Sequence, residues 1–312
     1  MGLAVMVAVC FATPVALADG VPVHAGTAFR TTLAVQTLLD RENLSCGCLD
    51  GIIGPRTRAA LQAWQRRRGL PATGEIDAAV LEAVNSAQDL FTTHCVTSNE
   101  IAALTGVFES WLEKARAERL GYGTILEAIA EQYHASEAAI VRLNPEVAWP
   151  NPPAGTVLVV PNPCPAAVGK AARLVVEMGR KLLLAFDEQD NLLAMFPCSI
   201  AARVEKRPTG VLRVVNCASD PEYLFDPVVF PEDAEARTIN SRLVIPPGPN
   251  NPVGVAWIGL SLPGYGIHGT PRPEDIGKTE SHGCLRLANW NAARLLKMIS
   301  IGIPVVIEDG QP

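Results

Sequence analysis

The stretch ESHGCLRL, residues 280–287, places a serine, a histidine, a glycine and a cysteine in consecutive positions. Upstream, the stretch YGIHGT supplies His268, again followed by a glycine, at the end of an apolar segment. A cysteine nucleophile needs a nearby base, and the oxyanion that its attack creates needs backbone N–H groups free of side-chain obstruction. Cys284, His268 and Gly283 meet these needs. Because the fold assembles such pairs, the two stretches need not be adjacent in sequence.

The composition is typical of a globular chain of about two domains. Of 312 residues, 48% are hydrophobic and 19% charged, which gives ample chain to bury a core. The formal net charge of −6 gives no electrostatic argument for nucleic acid or anionic lipid as a partner. Partners must therefore be inferred from motifs.

The first residues resemble a leader. Residues 3–18, LAVMVAVCFATPVALA, are uncharged and apolar and end in a small-x-small pattern before Asp19. The pattern predicts a signal peptide over residues 1–18 and export to the periplasm or cell envelope. Because no Lys or Arg precedes the run, an uncleaved membrane anchor is the alternative, and residues 3–18 are the one expected membrane tether.

Cysteine usage fits an oxidising compartment. Apart from Cys10 in the leader and Cys284, six cysteines remain, which makes disulfides plausible. The preferred pair is Cys198 with Cys217, since both lie on predicted strands, and a reduced, buried pair is the alternative. Zinc at Cys46-x-Cys48 is weaker, because no second pair of ligands follows at finger-like spacing. The six cysteines are Cys46, Cys48, Cys95, Cys164, Cys198 and Cys217.

Residues 28–86 predict a small all-α domain. Two helical patterns flank the loop LSCGCLDGIIG, and the second helix begins with Pro55 and ends at Gly69, before a third helix, IDAAVLEAV. The motifs VQTLL, DGIIGPRT and GLPATGEID resemble those of the peptidoglycan-binding domain family. The resemblance implies binding to peptidoglycan, and a helical bundle that has kept the fold without the ligand is the alternative.

Residues 87–117 read as an amphipathic helical connector, because four apolar residues fall at helical spacing. We expect Trp111 to be part of its core and not a sugar platform. The four residues are Ile101, Leu104, Phe108 and Trp111.

Residues 118–163 resemble a LysM module, a glycan-binding βααβ unit, through LEAIAEQYHAS, the turn at Leu143–Pro145 and the ending GTVLVVP. The segment departs from the family at its front, where Gly123-Thr124-Ile125-Leu126 replaces Gly-Asp-Thr-Leu and no clear first strand precedes. The resemblance implies the fold, and glycan affinity stays open.

Residues 171–308 predict a mostly antiparallel β domain, since short apolar runs alternate with turn signals. Asn289 is expected to cap its one clear helix, WNAARLLKMI. The long segment 219–240 is a candidate lid or substrate wall.

The catalytic motifs then give a resemblance. The spacing of IHGT and SHGCLRL, the RPTG turn at residues 207–210, and the final helix, Gly-x-Pro and strand resemble the YkuD-type L,D-transpeptidase domain. The implied fold is a β-sandwich or barrel-like domain with a short helix, which makes the whole protein multidomain: all-α, then βααβ, then mostly β.

The resemblance also implies the roles of the site residues. Cys284 would be the nucleophile and His268 its base and later acid, with the Gly269 carbonyl orienting the His268 ring. The oxyanion hole would be formed by backbone N–H groups around His282, Gly283 and Cys284. Substrate contacts are expected from Arg286, Ser281 and Tyr265, although an ordinary structural ion pair of Arg286 is the alternative.

The implied reaction is acyl transfer on peptidoglycan stem peptides. Cys284 would attack the carbonyl at the L-centre of the third stem residue, release the terminal D-alanine and pass the acyl group from the thioester to an amine of a neighbouring stem. No metal or organic cofactor is expected, and the partners are the stem peptides and glycan strands. The alternatives are an L,D-carboxypeptidase, a related hydrolase of the same fold, and a non-enzymatic peptidoglycan anchor; a zinc peptidase is disfavoured because no carboxylate stands at a paired spacing.

Overall fold

The computed structural model describes residues 26–201, 203–278 and 283–309. The leader expected over residues 1–18 lies outside the described residues, as do Ser281 and His282. Within the described ranges, every helix is too short or too polar to cross a membrane.

Three helices form the N-terminal unit: α1 (Gly26–Arg41), α2 (Pro55–Arg67) and α3 (Ala78–Ser86). As the sequence predicts, α2 begins with a proline in its first turn, and the Asp77 side chain caps α3 by accepting a hydrogen bond from the Val80 N–H. Trp64 on α2 is 2% exposed and centres the apolar core between the helices. The predicted all-α unit is therefore present.

The middle of the chain contains β1 (Phe91–Cys95), α4 (Ser98–Ala102), α5 (Trp111–Arg116), α6 (Ile125–Gln132), α7 (Glu137–Leu143) and β2 (Val157–Pro161). Strands β1 and β2 pair antiparallel, with Phe91 opposite Pro161 and Cys95 opposite Val157. A first strand does precede the two helices α6 and α7, contrary to the sequence expectation. It lies far upstream, because residues 96–124 are inserted between β1 and α6. We call residues 91–161 the middle module and residues 96–124 the insertion.

The prediction of a single amphipathic helix over residues 87–117 is wrong. Two capping boxes, Thr97 with Glu100 and Ser110 with Glu113, start separate short helices, and Gly106 between them adopts a φ of +78°. The helical spacing is misleading because its apolar residues pack in different cores: Leu104 against the middle module, Trp111 against the C-terminal domain.

The C-terminal domain is built on one eight-stranded sheet. Its strand order is β11-β10-β9-β6-β12-β3-β4-β5, and all neighbours are antiparallel except β10–β11 and β12–β3. These strands are β3 (Arg173–Glu177), β4 (Leu182–Phe186), β5 (Leu192–Pro197), β6 (Gly210–Ser219), β9 (Ala256–Leu260), β10 (Gly266–His268), β11 (Leu285–Arg286) and β12 (Pro304–Glu308).

The sheet curls until its two ends meet. Ser199, just after β5, exchanges backbone hydrogen bonds with Arg286 on β11, so the first and last strands of the sheet are bridged. Helix α8 (Asn289–Met298) packs into the enclosed apolar core. The expected barrel-like, mostly-β domain with a short helix is confirmed.

A separate hairpin pairs β7 (Tyr223–Phe225) with β8 (Leu243–Ile245). It lies in and just beyond the long segment flagged in the sequence. Within the described part of this domain, single-turn 3-10 helices occupy loops at Val204–Lys206, Pro227–Val229, Ala236–Thr238 and Pro273–Asp275.

The disulfide predicted between Cys198 and Cys217 is not formed, and all seven cysteines in the described ranges are free. Cys198 is buried at the end of β5, whereas Cys217 is exposed on β6, which lies four positions away in the strand order. At about 4.8 Å per strand step, that separation is far beyond disulfide reach across the sheet.

The cap predicted at Asn289 is also wrong. Helix α8 begins at this residue after Ala288, without a side-chain cap, and the Asn289 amide bonds to loops of the sheet instead.

Candidate active site

The sheet topology brings the two sequence motifs together. Strand β10 ends at His268, and its parallel neighbour β11 begins one residue after Cys284. In their register Ile267 lies opposite Leu285 and His268 opposite Arg286. His268, Cys284 and Arg286 all line one cavity of about 600 Å³. The pairing of these strands therefore explains how residues far apart in the chain share one site.

His268 is held as a buried, neutral imidazole. The side chain is 6% exposed, and its Nδ1 lies 2.6 Å from the Gly269 carbonyl oxygen. Because a carbonyl only accepts, Nδ1 carries the hydrogen, and Nε2 of the neutral ring has a free lone pair. Burial lowers the pKa of His268 to about 4; the Gly269 hydrogen bond opposes this shift, and the Arg286 charge adds to it. At neutral pH the ring is ready to accept a proton.

Cys284 is half-buried at the cavity wall, with its Sγ 3.6 Å from the Gly264 carbonyl oxygen. Burial raises the pKa of its thiol, while a hydrogen bond from the Gly266 backbone and the Arg286 charge act in the opposite direction. The thiol and the imidazole that line this cavity are therefore both uncharged at neutral pH. Such a thiol becomes a strong nucleophile only when a base removes its proton.

Three more of the predicted site residues, Arg286, Tyr265 and Gly283, line the same cavity. Arg286 lines the cavity from β11, and Tyr265 lines it beside Gly283. A Cβ built at position 283 would lie 3.4 Å from the Tyr265 ring, an ordinary contact distance, so the backbone before Cys284 runs close to this ring. Ser281 and His282 lie outside the described residues, and their predicted roles stay predictions.

The segment 219–240 forms a wall of the cavity through Tyr223, Val229 and Phe230. Burial raises the pKa of Tyr223 to about 12, with smaller contributions from Cys284 and Asp226, so this phenol keeps its proton. This is the segment that the sequence marks as a candidate lid or substrate wall.

Trp111 lines the same cavity from the insertion, which the sequence did not predict. One face of its ring stacks on Phe225 at 3.9 Å, and Nε1–H donates to Asp233 at 2.9 Å. Trp111 is therefore both part of a small core, as expected, and an edge of the cleft.

Two further cavity residues were also missed. Trp257 on β9 stacks beside the His268 ring with centroids 5.8 Å apart, and Lys206 adds a second positive charge to that of Arg286. Their positions depend on strand pairing and loop packing, so no motif identifies them. Among the described residues, no cluster of three or more His, Cys, Asp or Glu side chains is arranged to hold a metal ion.

Comparison with known proteins defines the class. Residues 171–307 match the family model of the YkuD L,D-transpeptidase catalytic domain, and residues 32–84 match that of a putative peptidoglycan-binding domain. Residues 171–307 are therefore an L,D-transpeptidase catalytic domain, and they follow a domain that matches the peptidoglycan-binding family.

Relatives carry the same description. The putative L,D-transpeptidase YkuD of Bacillus licheniformis is 27% identical over 188 residues, which cover 59% of this chain and 94% of that protein. The putative L,D-transpeptidase YqjB of Bacillus subtilis is 35% identical over 118 residues, covering 35% and 65%. The crystal structure of L,D-transpeptidase 3 from Mycobacterium tuberculosis aligns over 53% of this chain and 78% of its own, with 16% identity and a TM-score of 0.35.

Proposed function

We propose that this protein cross-links peptidoglycan stem peptides, with Cys284 as nucleophile and His268 as general base and acid. The observation that carries the proposal is that Cys284 and His268 line one cavity, the thiol protonated and the imidazole neutral. The Gly269 hydrogen bond leaves Nε2 as the basic atom. That arrangement supports proton transfer during attack and not a preformed thiolate.

The proposed reaction has two steps, formation of a thioester and its attack by an amine. As the Cys284 sulfur bonds to the substrate carbonyl carbon, its proton passes to Nε2 of His268 and then to the amine of the departing D-alanine, which leaves a thioester. An amine of a second stem then attacks the thioester carbonyl carbon and gives a proton to His268. The C–S bond breaks, and the departing Cys284 thiolate takes up that proton. The backbone N–H groups around Gly283 and Cys284 are proposed to bind the oxyanion, together with that of His282.

The charges in the cleft support a substrate that carries carboxylates. Arg286 and Lys206 line the cavity although the whole protein has a formal net charge of −6. Stem peptides end in a carboxylate, and guanidinium and ammonium groups pair with it. We therefore assign the donor carboxylate to Arg286 and Lys206, with Tyr265 and the 219–240 segment as walls.

The upstream units are proposed to hold the enzyme on its polymer. The family to which the catalytic domain belongs acts on the cell wall, outside the cytoplasm, which agrees with export by residues 1–18 to the periplasm. The middle module is proposed to be a LysM-like glycan binder. Support comes from its βααβ order, with β1 and β2 paired around α6 and α7. Two weak binding modules on one chain raise the effective concentration of the catalyst at the wall.

Mass spectrometry of tetrapeptide muropeptides incubated with the purified protein tests this function. Dimers formed with loss of D-alanine are expected from the wild type and are expected to fall by about 10³-fold or more in Cys284→Ala. Cys217→Ala, which removes an exposed cysteine of β6, is the matched control and is expected to keep full activity.

Two other outcomes would replace the proposal. Tripeptide monomers as the only Cys284-dependent product would identify an L,D-carboxypeptidase, in which water resolves the thioester. No Cys284-dependent product would favour the peptidoglycan anchor.

A further inference from the structure

Asn289, at the start of α8, joins three backbone segments around the catalytic histidine. Its side chain is 1% exposed, and its Oδ1 accepts hydrogen bonds from the Thr270 N–H at 3.0 Å and the Val255 N–H at 3.3 Å. Its Nδ2 donates to the Pro249 carbonyl at 3.0 Å. Thr270 follows Gly269, whose carbonyl accepts from His268. The Gly269–Thr270 peptide group therefore orients His268 through its carbonyl oxygen and is itself fixed by Asn289 through its N–H.

The packing around Asn289 is as tight as its hydrogen bonding. A Cβ built at Gly254 would lie 1.9 Å from Asn289 Oδ1, and one built at Gly269 would lie 2.2 Å from it. Both distances are far below contact, so only glycine fits at either position while Asn289 keeps its place. The loop after β10 consequently has little freedom to shift unless Asn289 moves.

A carboxyl group from outside the catalytic domain holds Asn289. Glu131, on α6 of the middle module, accepts hydrogen bonds from Asn289 Nδ2 at its Oε1 and Oε2, at 3.0 and 3.1 Å. The Tyr122 hydroxyl donates to the same Oε1 at 3.2 Å. The chain of contacts thus runs from Glu131 through Asn289 to the Gly269–Thr270 peptide and His268.

We propose that Glu131 is a positioning residue for catalysis, acting through Asn289 to hold the loop that orients His268. The inference rests on the proposed role of His268. The middle module then completes the active site as well as contributing to wall binding, because it supplies the group that fixes the amide of Asn289.

The surroundings of Glu131 make its charge sensitive to pH. Burial raises its pKa to about 7; the hydrogen bonds from Asn289 and Tyr122 oppose the shift, and the Glu127 charge adds to it. Glu131 also borders a cavity of about 340 Å³, and the charged groups that share this cavity are Glu127, Glu137, Arg272, Glu274 and Asp275. A charged Glu131 makes the stronger bond to Asn289, since charge-assisted hydrogen bonds are about twice as strong as neutral ones.

The test compares kcat and KM of the full chain with those of Glu131→Leu and Glu131→Gln. The leucine variant is expected to lower kcat by about 10- to 100-fold with KM within about twofold, because small displacements of catalytic groups carry costs of that size. The glutamine variant keeps an acceptor for Asn289, and at pH 6 its kcat is expected to be close to that of the wild type. Glu137→Gln, a carboxyl change at the same cavity in a residue that is not among the bonding partners of Asn289, is expected to behave as wild type.

The pH profile gives a second readout that survives poor folding of the leucine variant. Wild-type kcat is expected to rise through about pH 7 as Glu131 loses its proton, and the isosteric Glu131→Gln is expected to lack this step. An inflection that persists in Glu131→Gln would overturn the proposal. So would wild-type kcat in Glu131→Leu, or a change confined to KM, which would mark Glu131 as a substrate contact.

The alkylation rate of Cys284, followed by peptide mass spectrometry, separates this inference from the proposed function. Slower labelling of Cys284 in Glu131→Leu, with unchanged labelling of the exposed Cys217, is expected if His268 is displaced. Equal labelling of Cys284 in the variant and the wild type would count against the inference. A wild type without any Cys284-dependent product would instead refute the proposed function.

Discussion

The catalytic domain contacts both upstream units through apolar cores and hydrogen bonds, but the hydrogen bonds of the two units end at different places. The N-terminal helices lie on the outer face of β3–β5, where Leu39, Leu44 and Trp64 share an apolar core with Leu184 and Met195. The middle module shares a smaller apolar core with the domain, in which Leu120 and Trp111 pack with Phe225. It also makes polar contacts, which include Glu131 with Asn289, Arg119 with Asp220, and the Trp111 indole and backbone N–H groups with Asp233 and Glu235.

This difference indicates which of the two contacts can affect catalysis. Apolar burial is non-directional and tolerates small shifts, so the helical contact stabilises the sheet without fixing atoms at the cleft. Hydrogen bonds fix distances and angles, and those of the middle module end at the loop after His268 and at the cavity wall. We therefore expect changes at the helical contact to alter stability, and changes at the polar contact to alter catalysis.

The largest effect is expected at Asp40, where both upstream units meet the catalytic domain. Asp40 on α1 is fully buried and pairs through Oδ2 with His134 at 2.8 Å and Arg294 on α8 at 3.2 Å. Asp40→Asn is expected to lower the free energy of unfolding by about 3 to 5 kcal/mol at pH 7, because Arg294 stays buried without its counter-charge. Urea unfolding of the purified proteins measures the difference.

The pH dependence of this loss follows from the pKa of Asp40. Burial acts to raise that pKa, but the charges of His134 and Arg294 outweigh it and hold the pKa below its ordinary value. A lowered carboxyl pKa stabilises the fold above the unfolded value of about 4, and this stabilisation is lost as pH falls through the folded pKa. The wild type and Asp40→Asn are therefore expected to converge in acid. A constant gap from pH 7 down to pH 3 would contradict the assignment.

Leu184→Ala tests the apolar contact alone. The side chain is 9% exposed on β4 and packs under the N-terminal helices, on the face opposite Leu183 and the barrel core. We expect a loss of about 2 to 4 kcal/mol in unfolding free energy. The kcat of the folded fraction is expected to match the wild type, and a tenfold drop in kcat would show that this contact also positions the site.

Trp111→Phe tests the polar contact at the cavity wall. Phenylalanine keeps an aromatic ring against Phe225 but loses the Nε1–H bond to Asp233. Loss of this hydrogen bond is expected to cost about 1 kcal/mol. If the wall contacts the substrate, this cost corresponds to roughly a fivefold rise in KM. Leu112→Ala, on the same helix and 41% exposed, is the control. Equal KM values for Trp111→Phe and wild type would restrict Trp111 to packing.

The smallest effect is expected at Arg119. Its guanidinium pairs with Asp220 at 2.6 and 3.0 Å, but both side chains are about half exposed. Arg119→Ala is expected to cost less than about 1 kcal/mol of unfolding free energy, and less again in high salt. A larger, salt-independent cost would mean that this ion pair, and not Glu131, carries the polar contact.

The sequence predicts the elements whose signals are local. The proline and glycine that bound α2, the turn-punctuated strands after residue 171, and the His-Gly and His-Gly-Cys motifs all lie within short windows. The prediction of one helix over residues 87–117 failed because two capping boxes start separate helices within the apolar spacing that suggested it. Strand β1 was missed because its partner β2 is about sixty residues away, and no local pattern records that pairing.

The site residues divide in the same way, into those with a local sequence signal and those that only the fold brings together. Cys284, His268 and Gly283 were proposed from the chemistry of the two motifs, and Gly269 from the family resemblance. Asn289 was recognised as an asparagine at a helix start and was given the usual capping role, whereas its amide bonds to two loops and to Glu131. Only tertiary packing brings α6 against α8, so neither Glu131 nor Trp111 could be identified before the fold was known.

The position of the middle module in the chain also affects the order in which the units fold. Strand β2 closes the βααβ unit at Pro161, before the ribosome has made any strand of the eight-stranded sheet. Domains generally fold as units from the N-terminus as they emerge. Glu131 is then in place while β10, β11 and α8 are still being added. The last loops of the catalytic domain therefore close against a surface that is already folded, and the nascent chain acquires a reactive cysteine site only at its final step.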